Sequence, residues 1–367
     1  MTPADAGVAP DVEDFRLIVG TRGPGKNHLH RLRFSVKSGR VCRDGEPTEA
    51  VNPSFGAFHP DGHVLYVVNE TGRSRSDPAG SVSAFAIDKG TGALCLLNSL
   101  SSGGAAPCHV SIAPTGRHLF VANYWGGSIA AFAIAPDGSL DSQVAFVQHE
   151  GGTRYRGRDP GPHAHAIGLD PSGRHVVVAD LGRDEMLLYT YDATTGGLAA
   201  HEPAAFALAP GAGPRHFTFD RDGRHAFVIN ELNSTLDVLA YDAARGSLRP
   251  LQSLSTRASN AGGENAAAEV ALSPDGRHLY ASNRGDDTIA ICEVDQDSGL
   301  LRRLAHQPSL GRKPRHFALD REGSHLVVAN QGSDTIVVFA RDPSHGGLAP
   351  AAPPYAVPAP VWVGIAP

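Results

Sequence analysis

A pair reading Asp-Gly, or a close variant of it, returns six times in this chain at nearly even spacing, each time between two apolar runs. Its glycines are Gly62, Gly116, Gly173, Gly223, Gly276 and Gly323, so the intervals are 54, 57, 50, 53 and 47 residues. A fixed period near 50 marks one supersecondary unit copied along the chain. The copies read HPDGHVLYVVN, APTGRHLFVAN, DPSGRHVVVAD, DRDGRHAFVIN, SPDGRHLYASN and DREGSHLVVAN, which is strand, tight turn, strand. A second hairpin follows in each unit, as in SVSAFAID before TGAL or STLDVLAYD before RGSL. Its Gly, Asn and Asp residues suit the positive φ that hairpin turns demand. Each unit therefore has four short antiparallel strands, here A to D, and no helical period appears.

Four-stranded units repeated radially predict an all-β fold, a seven-bladed β-propeller of four-stranded antiparallel blades. The blade count comes from the ends. DFRLIVGTRG before the first Asp-Gly matches strand B, and LHRLRFSVKSGRV matches C, turn and D, so the first blade lacks its strand A. PVWVGIAP at the C-terminus supplies it: Pro360 and Pro367 are spaced like Pro53 and Pro60. The C-terminal strand is thus expected to enter the first blade, with 360–366 beside 14–20, and to close the ring, removing open edges. Residues 1–13 are expected to be a flexible segment and 14–367 one propeller domain.

With 41% apolar residues and a net charge of −6, the chain reads as soluble and globular. Mild acidity and the lack of a basic face argue against nucleic-acid partners. No run reaches transmembrane length, so no membrane partner is expected. Cys42, Cys95, Cys108 and Cys292 have no paired spacing and read as free thiols. The first residues resemble no signal peptide, which makes a cytoplasmic location the expectation. Oligomeric state is not encoded legibly.

The starts of A and the ends of B share one face, the top. Eight residues before each Asp-Gly glycine stand Ser54, Cys108, His165, Arg215, Ala268 and Arg315, with Val361 matching in the closing strand. One position past the recurrent Asn or Asp at the end of B stand Thr21, Glu70, Tyr124, Leu181, Glu231, Arg284 and Gln331. These two rings vary while their flanks repeat, as expected where each copy of a scaffold has been given its own task. The longest insertions, 71–80, 149–163 and 255–267, fall on the same face, where binding loops gather.

Arginine is concentrated there: Arg215, Arg284 and Arg315 in the rings, and Arg154, Arg156 and Arg158 in the long loop. Guanidinium forks suit carboxylate or phosphate oxygens. The alternative is that each Arg pairs with an acid such as Glu231 or Glu269 and only ties blades together. His165 and Glu231 are the candidates for proton transfer, with His163 two residues away as a substitute. Cys108 is expected three ring positions from the base candidates. His63, His118, His175, His225, His278 and His325 read as turn scaffold, and His109, His216 and His316 as blade packing. Asn69, Asn123, Asn230, Asn283, Asn330 and Asp180 read as caps on the turn backbone. Such a ring of oxygens could instead hold Ca²⁺, but neighbouring arginines would repel a divalent ion. No zinc spacing, phosphate-binding loop or nucleophile elbow is present, so no metal and no cofactor are expected.

On GAGPRHFTFDRDGRHAFVINELNSTLDV, GPHAHAIGLDPSG and SPDGRHLYASNRG, the chain resembles the seven-bladed lactonase family. That family includes propeller-type bacterial 6-phosphogluconolactonase and fungal carboxymuconate cyclase. The resemblance implies an active site of one His, two Arg and one Glu at the top of the channel. On matching motifs these are His165, Arg215, Arg284 and Glu231. It implies a small anionic lactone or sugar acid as partner, and hydrolysis of 6-phosphogluconolactone in the pentose phosphate pathway. Arg315, His163, Arg156 and Glu70 are the further substrate-binding candidates. Two other readings compete: a muconate-type cycloisomerase using the same residues in reverse, and a non-catalytic binding propeller with Tyr124, Trp125 and Tyr155 as anchors.

Overall fold

The computed structural model describes residues 14–366 apart from Pro24, Lys26 and 153–159. Its described residues form seven antiparallel sheets and no helix. Blade 5 shows the plan, with strands A (Pro214–Phe219), B (His225–Asn230), C (Thr235–Asp242) and D (Ser247–Ser255) hydrogen-bonded in that order. The glycine of each Asp-Gly turn has positive φ, 66° at Gly223 for instance. A side chain there would strain the hairpin.

The ring closes as the spacing of the terminal prolines predicts. Pro360–Ile365 pairs antiparallel with Phe15–Thr21, Leu17 opposite Ile365 and Thr21 opposite Pro360. N- and C-terminal strands therefore share blade 1, and the sheet that would have had a bare inner edge is completed.

Strand B is buried at all its positions in most blades, as in Val64–Asn69 and His118–Asn123. Apolar residues on both of its faces feed two different interblade cores. Phe120 and Ala122 pack with blade 4, whereas Leu119 and Val121 pack with blade 2. The recurrent turn histidines belong to these seams. His118 Nδ1 lies 2.6 Å from Tyr191 Oη of the next blade, and a Cβ on Gly196 would come within 2.6 Å of the same imidazole. Gly246, Gly299 and Gly346 sit against His175, His225 and His278 in the same way. These glycines answer a close approach as well as a turn.

The Asn caps do something other than close the turn backbone. Asn69 Nδ2 donates to Ser81 and Ser83 of strand C. Asn123, Asn283 and Asn330 donate to carbonyls of the connection that enters strand A, at Ser102, Thr256 and Ser309. Asp180 Oδ1 alone works as expected, accepting the amides of Gly182 and Arg183. Asn123, Asn283 and Asn330 thus brace the tops of their blades against the incoming connection, whereas Asn69 and Asn230 hold strand C.

One irregularity repeats in every blade. Strand A carries a β-bulge near its start: Pro214 faces Asn230 and His216 faces Ile229, leaving Arg215 as the extra residue. Ser54, Cys108, His165, Arg315 and Val361 are the extra residues of blades 2, 3, 4, 7 and 1. In blade 6 Ala268 and Glu269 together stand opposite Ser282. The first ring of variable positions is therefore a ring of bulges, a device that re-aims side chains near the ends of strands.

Closure rests on buried contacts, Trp362 and Val363 being 3% and 1% exposed. Removing residues 358–367 is expected to abolish cooperative thermal unfolding, and Trp362→Ala to cost about 3–5 kcal/mol in urea titrations. A truncated protein that melts like the full chain would show that the closing strand is dispensable.

Candidate active site

At the top of the axis a cavity of about 210 Å³ is lined by Arg22, Glu70, Cys108, Tyr124, Trp125, His165, Glu231, Arg284 and Arg315. Five of the expected site residues, Glu70, His165, Glu231, Arg284 and Arg315, thus share one cup although they come from five different blades. A larger hollow of about 510 Å³ near Phe15, Arg31 and Asp61 lies beside the bottom turns of blades 1 and 2, away from both rings.

Arg215 lies beneath the cup rather than on its wall, only 2% exposed. Its Nε donates to Glu231 Oε2 at 3.1 Å and its Nη1 to Ala268 O at 2.7 Å. Arg284 Nη2 reaches the same carboxylate oxygen at 2.7 Å, and its Nε and Nη2 donate to Ala266 O and Ala267 O. Glu231 therefore clamps two guanidinium groups that are also braced on three successive carbonyls of blade 6. Burial first, then the cations of Arg284 and Arg315, lower the pKa of Arg215 to about 9. The group still carries its charge at neutral pH.

The ion-pair alternative is thus realised for Arg215 and Arg284 but not for Arg315. Among the described residues, Arg315 has no ion pair or hydrogen-bond partner, and it lines the cup. His165 is likewise without a partner for either ring nitrogen, and its Nδ1 is buried. Burial, with Arg215 next in weight, holds its pKa well below the ordinary value, so the imidazole is neutral.

Several expectations need correction. His163 does not enter the cup: its ring stacks on Tyr124 at 4.7 Å and its Nδ1 lies 3.0 Å from Tyr124 O, which makes it a buttress. Cys108 is not remote from His165 but next to it, its Sγ donating to His165 O at 3.4 Å. Burial raises that thiol well above its usual pKa and leaves it protonated. His109, His216 and His316 do not pack between blades. With Phe55 they meet across the axis, His109 and His216 with ring centroids 5.2 Å apart and Phe55 4.3–5.6 Å from all three. A bulge turns two successive side chains toward the channel, so the residue after each ring position forms a second tier that plugs it. Arg156, with Arg154, Tyr155 and Arg158, lies outside the described residues.

Sequence reasoning missed Arg22, whose Nη1 pairs with Glu70 at the rim. The signal was at hand, because Arg22 directly follows the ring residue Thr21. Trp125, which follows ring residue Tyr124, is on the wall for the same reason and also borders two further hollows of about 400 and 570 Å³. Among the described residues no group of three or more His, Cys, Asp or Glu is arranged to hold a metal, and no helix is long and apolar enough to cross a membrane.

Fold and site together define a propeller with one polar, arginine-rich cup on its axis. Residues 16–365 match the family model described as "Lactonase, 7-bladed beta-propeller", and the chain belongs to that family. It is a lactone-hydrolysing enzyme, a carboxylic ester hydrolase. A 6-phosphogluconolactonase of Bacillus subtilis is 35% identical over 343 residues, covering 94% of this chain and 95% of its relative. One from Formosa agariphila is 33% identical, covering 87% and 90%. Among solved structures, the periplasmic gluconolactonase of Pseudomonas aeruginosa superposes with a TM-score of 0.89 at 33% identity, covering 96% of this chain and 99% of that one.

The buried histidines make stability depend on pH. Burial depresses His109, His165 and His216 well below 6.5 and His316 to about 4. Below pH 6.5 the unfolded chain takes up protons that the folded one refuses, so stability is lost as pH falls toward the folded values. Glu269, raised by burial, acts in the opposite sense but is one group against four. At pH 5 His316 alone costs about 2 kcal/mol. Melting temperature should fall steadily from pH 7 to 5, and a flat profile would contradict the neutral histidine tier.

Proposed function

We propose that the cup hydrolyses a sugar lactone carrying an anionic group, with 6-phosphogluconolactone the preferred substrate and His165 the general base. One observation carries this reading: a neutral imidazole and the Arg315 cation line the same small cavity, and neither has a partner among the described residues. The names of the two 6-phosphogluconolactonase relatives support the choice of substrate.

His165 takes a proton from water as the water oxygen bonds to the lactone carbonyl carbon. The carbonyl oxygen becomes an oxyanion facing Arg315 and Arg284, and preorganised cations at such a charge contribute roughly 3–4 kcal/mol each. Collapse breaks the bond between that carbon and the ring oxygen, and the imidazolium returns its proton to the departing alkoxide. One lactone and one water give one hydroxy acid. Glu231 is better placed to hold Arg215 and Arg284 than to accept this proton, because its Oε2 is occupied by both. The Arg22–Glu70 pair and Trp125 form the rim over which the substrate's distal end would lie.

The test is turnover of 6-phosphogluconolactone and unphosphorylated gluconolactone, corrected for spontaneous hydrolysis. His165→Ala should lower kcat/KM by about 10²–10⁴, and Arg284→Ala and Arg315→Ala by about 10²–10³ each. Glu231→Gln should lower kcat while the unfolding midpoint moves far less. Wild-type turnover by His165→Ala, Glu231→Gln and Arg284→Ala alike would refute the assignment. Because His165 is held neutral, the acid limb of kcat/KM should lie below pH 6.5 and vanish in His165→Ala.

The positive charge in this scheme comes from guanidinium groups. Turnover should therefore survive EDTA, and loss on chelation with rescue by Ca²⁺ or Mg²⁺ would overturn the scheme.

A further inference from the structure

Beneath the cup, the plug of the channel contains a carboxylate that the reaction scheme does not use. Glu269 is 8% exposed and lies on the bulge of blade 6. Its Oε2 is 2.9 Å from His216 Nδ1 and 3.3 Å from His316 Nε2, and its Oε1 accepts the Val270 amide. On the other side of the imidazole, His216 Nε2 is 3.1 Å from Arg215 Nη1. A guanidinium can only donate. His216 must therefore accept at Nε2 and carry its proton on Nδ1, which it donates to Glu269. The string Glu269–His216–Arg215–Glu231 is thus continuous from the middle of the channel to the wall of the cup, and each link allows one proton arrangement.

We propose that Glu269 and His216 are positioning residues for the lactonase site: Glu269 fixes the His216 tautomer, and His216 Nε2 in turn fixes the Arg215 guanidinium under Glu231. The logic is that of a histidine whose far nitrogen is oriented by a carboxylate so that its near nitrogen meets the group that matters. Arg215 has its Nε on Glu231 and its Nη1 shared between Ala268 O and His216. Without the imidazole acceptor the guanidinium can rotate about its stem, and Glu231 and Arg284 move with it. The inference rests on the reading that this clamp shapes the site, and it adds residues that touch no substrate.

Two substitutions separate the halves of the string. The glutamine of His216→Gln reaches as far as Nε2 and can accept from Arg215, whereas the asparagine of His216→Asn reaches only as far as Nδ1 and cannot. His216→Asn is expected to lower kcat about 10- to 100-fold, the loss that a misplaced site group causes, with KM changed far less. His216→Gln is expected to recover most of it. Isosteric Glu269→Gln should also lower kcat, because its amide can present a donor to Nδ1 and favour the wrong tautomer. Turnover within twofold of wild type in both His216→Asn and Glu269→Gln would overturn the proposal, as would equal losses in the Asn and Gln variants of His216. Histidine-selective ¹⁵N NMR of the wild-type protein decides the point even if the variants fail to fold. A neutral His216 protonated on Nδ1 supports the string, and the Nε2-protonated or doubly protonated form refutes it. Should the wild-type protein open neither lactone, the functional reading fails while the tautomer measurement still settles the string.

Discussion

The β-bulge at the head of each innermost strand is the constraint on which the site depends. A regular strand alternates its side chains between two faces. Seven regular strands around an axis would each have offered the top of the channel a single residue and buried the next between blades. The extra residue changes this locally, so that Arg215 and His216, or Arg315 and His316, both turn inward. The outcome is two stacked tiers: an upper one that lines the cup and a lower one of Phe55, His109, His216, Glu269, His316 and Trp362 that plugs the channel. The lower tier places aromatic and imidazole rings beneath the charges of the cup.

Burying so many guanidinium groups is costly unless they are paired and hydrogen-bonded. The structure answers with Glu231 between Arg215 and Arg284, Glu70 beside Arg22, and backbone carbonyls at 266–268. Ala268, which brings no polar side chain to its ring, contributes through its carbonyl, which accepts from Arg215 Nη1. Arg315 is left outside this compensation, and its charge is therefore the one most available to an anion entering the cup.

The architecture was legible because a propeller writes its period directly into the chain. Equal intervals between Asp-Gly turns, an absent first strand A and a matching proline pair at the C-terminus together lead to seven blades and their closure. The positions of the rings were legible for the same reason, since equivalent residues of successive blades occupy equivalent heights. What the repeat could not convey was the bulge, because counting along a strand presumes strict alternation, and that presumption sent His109, His216 and His316 to the wrong place. Nor could it convey which of two neighbouring histidines turns inward: His165 is the bulged residue, while His163 precedes the strand and stacks on Tyr124. Arg22 escaped, and Trp125 was seen only as a top-face anchor, because the second ring was taken as one residue deep, when the B-to-C turn brings the following residue to the rim as well.

Separation of site from core has a further consequence. The interblade cores are built from strands A, B and C away from the axis, as in the packing of Phe227 and Ile229 against Val270 and Leu279. The bulge residues have their backbones out of the ladder and their side chains in the channel. A change at His165 or Arg315 therefore acts on the wall of the cup, whereas a change one residue further along, as at His316, disturbs the plug. Chemistry in this scaffold is set by a few side chains at the heads of the innermost strands, and the tier beneath them holds those side chains in place. The Glu269–His216–Arg215 string is where the two tiers are joined by hydrogen bonds rather than by contact alone, so a defect in the plug would be transmitted to Glu231 and felt in the cup.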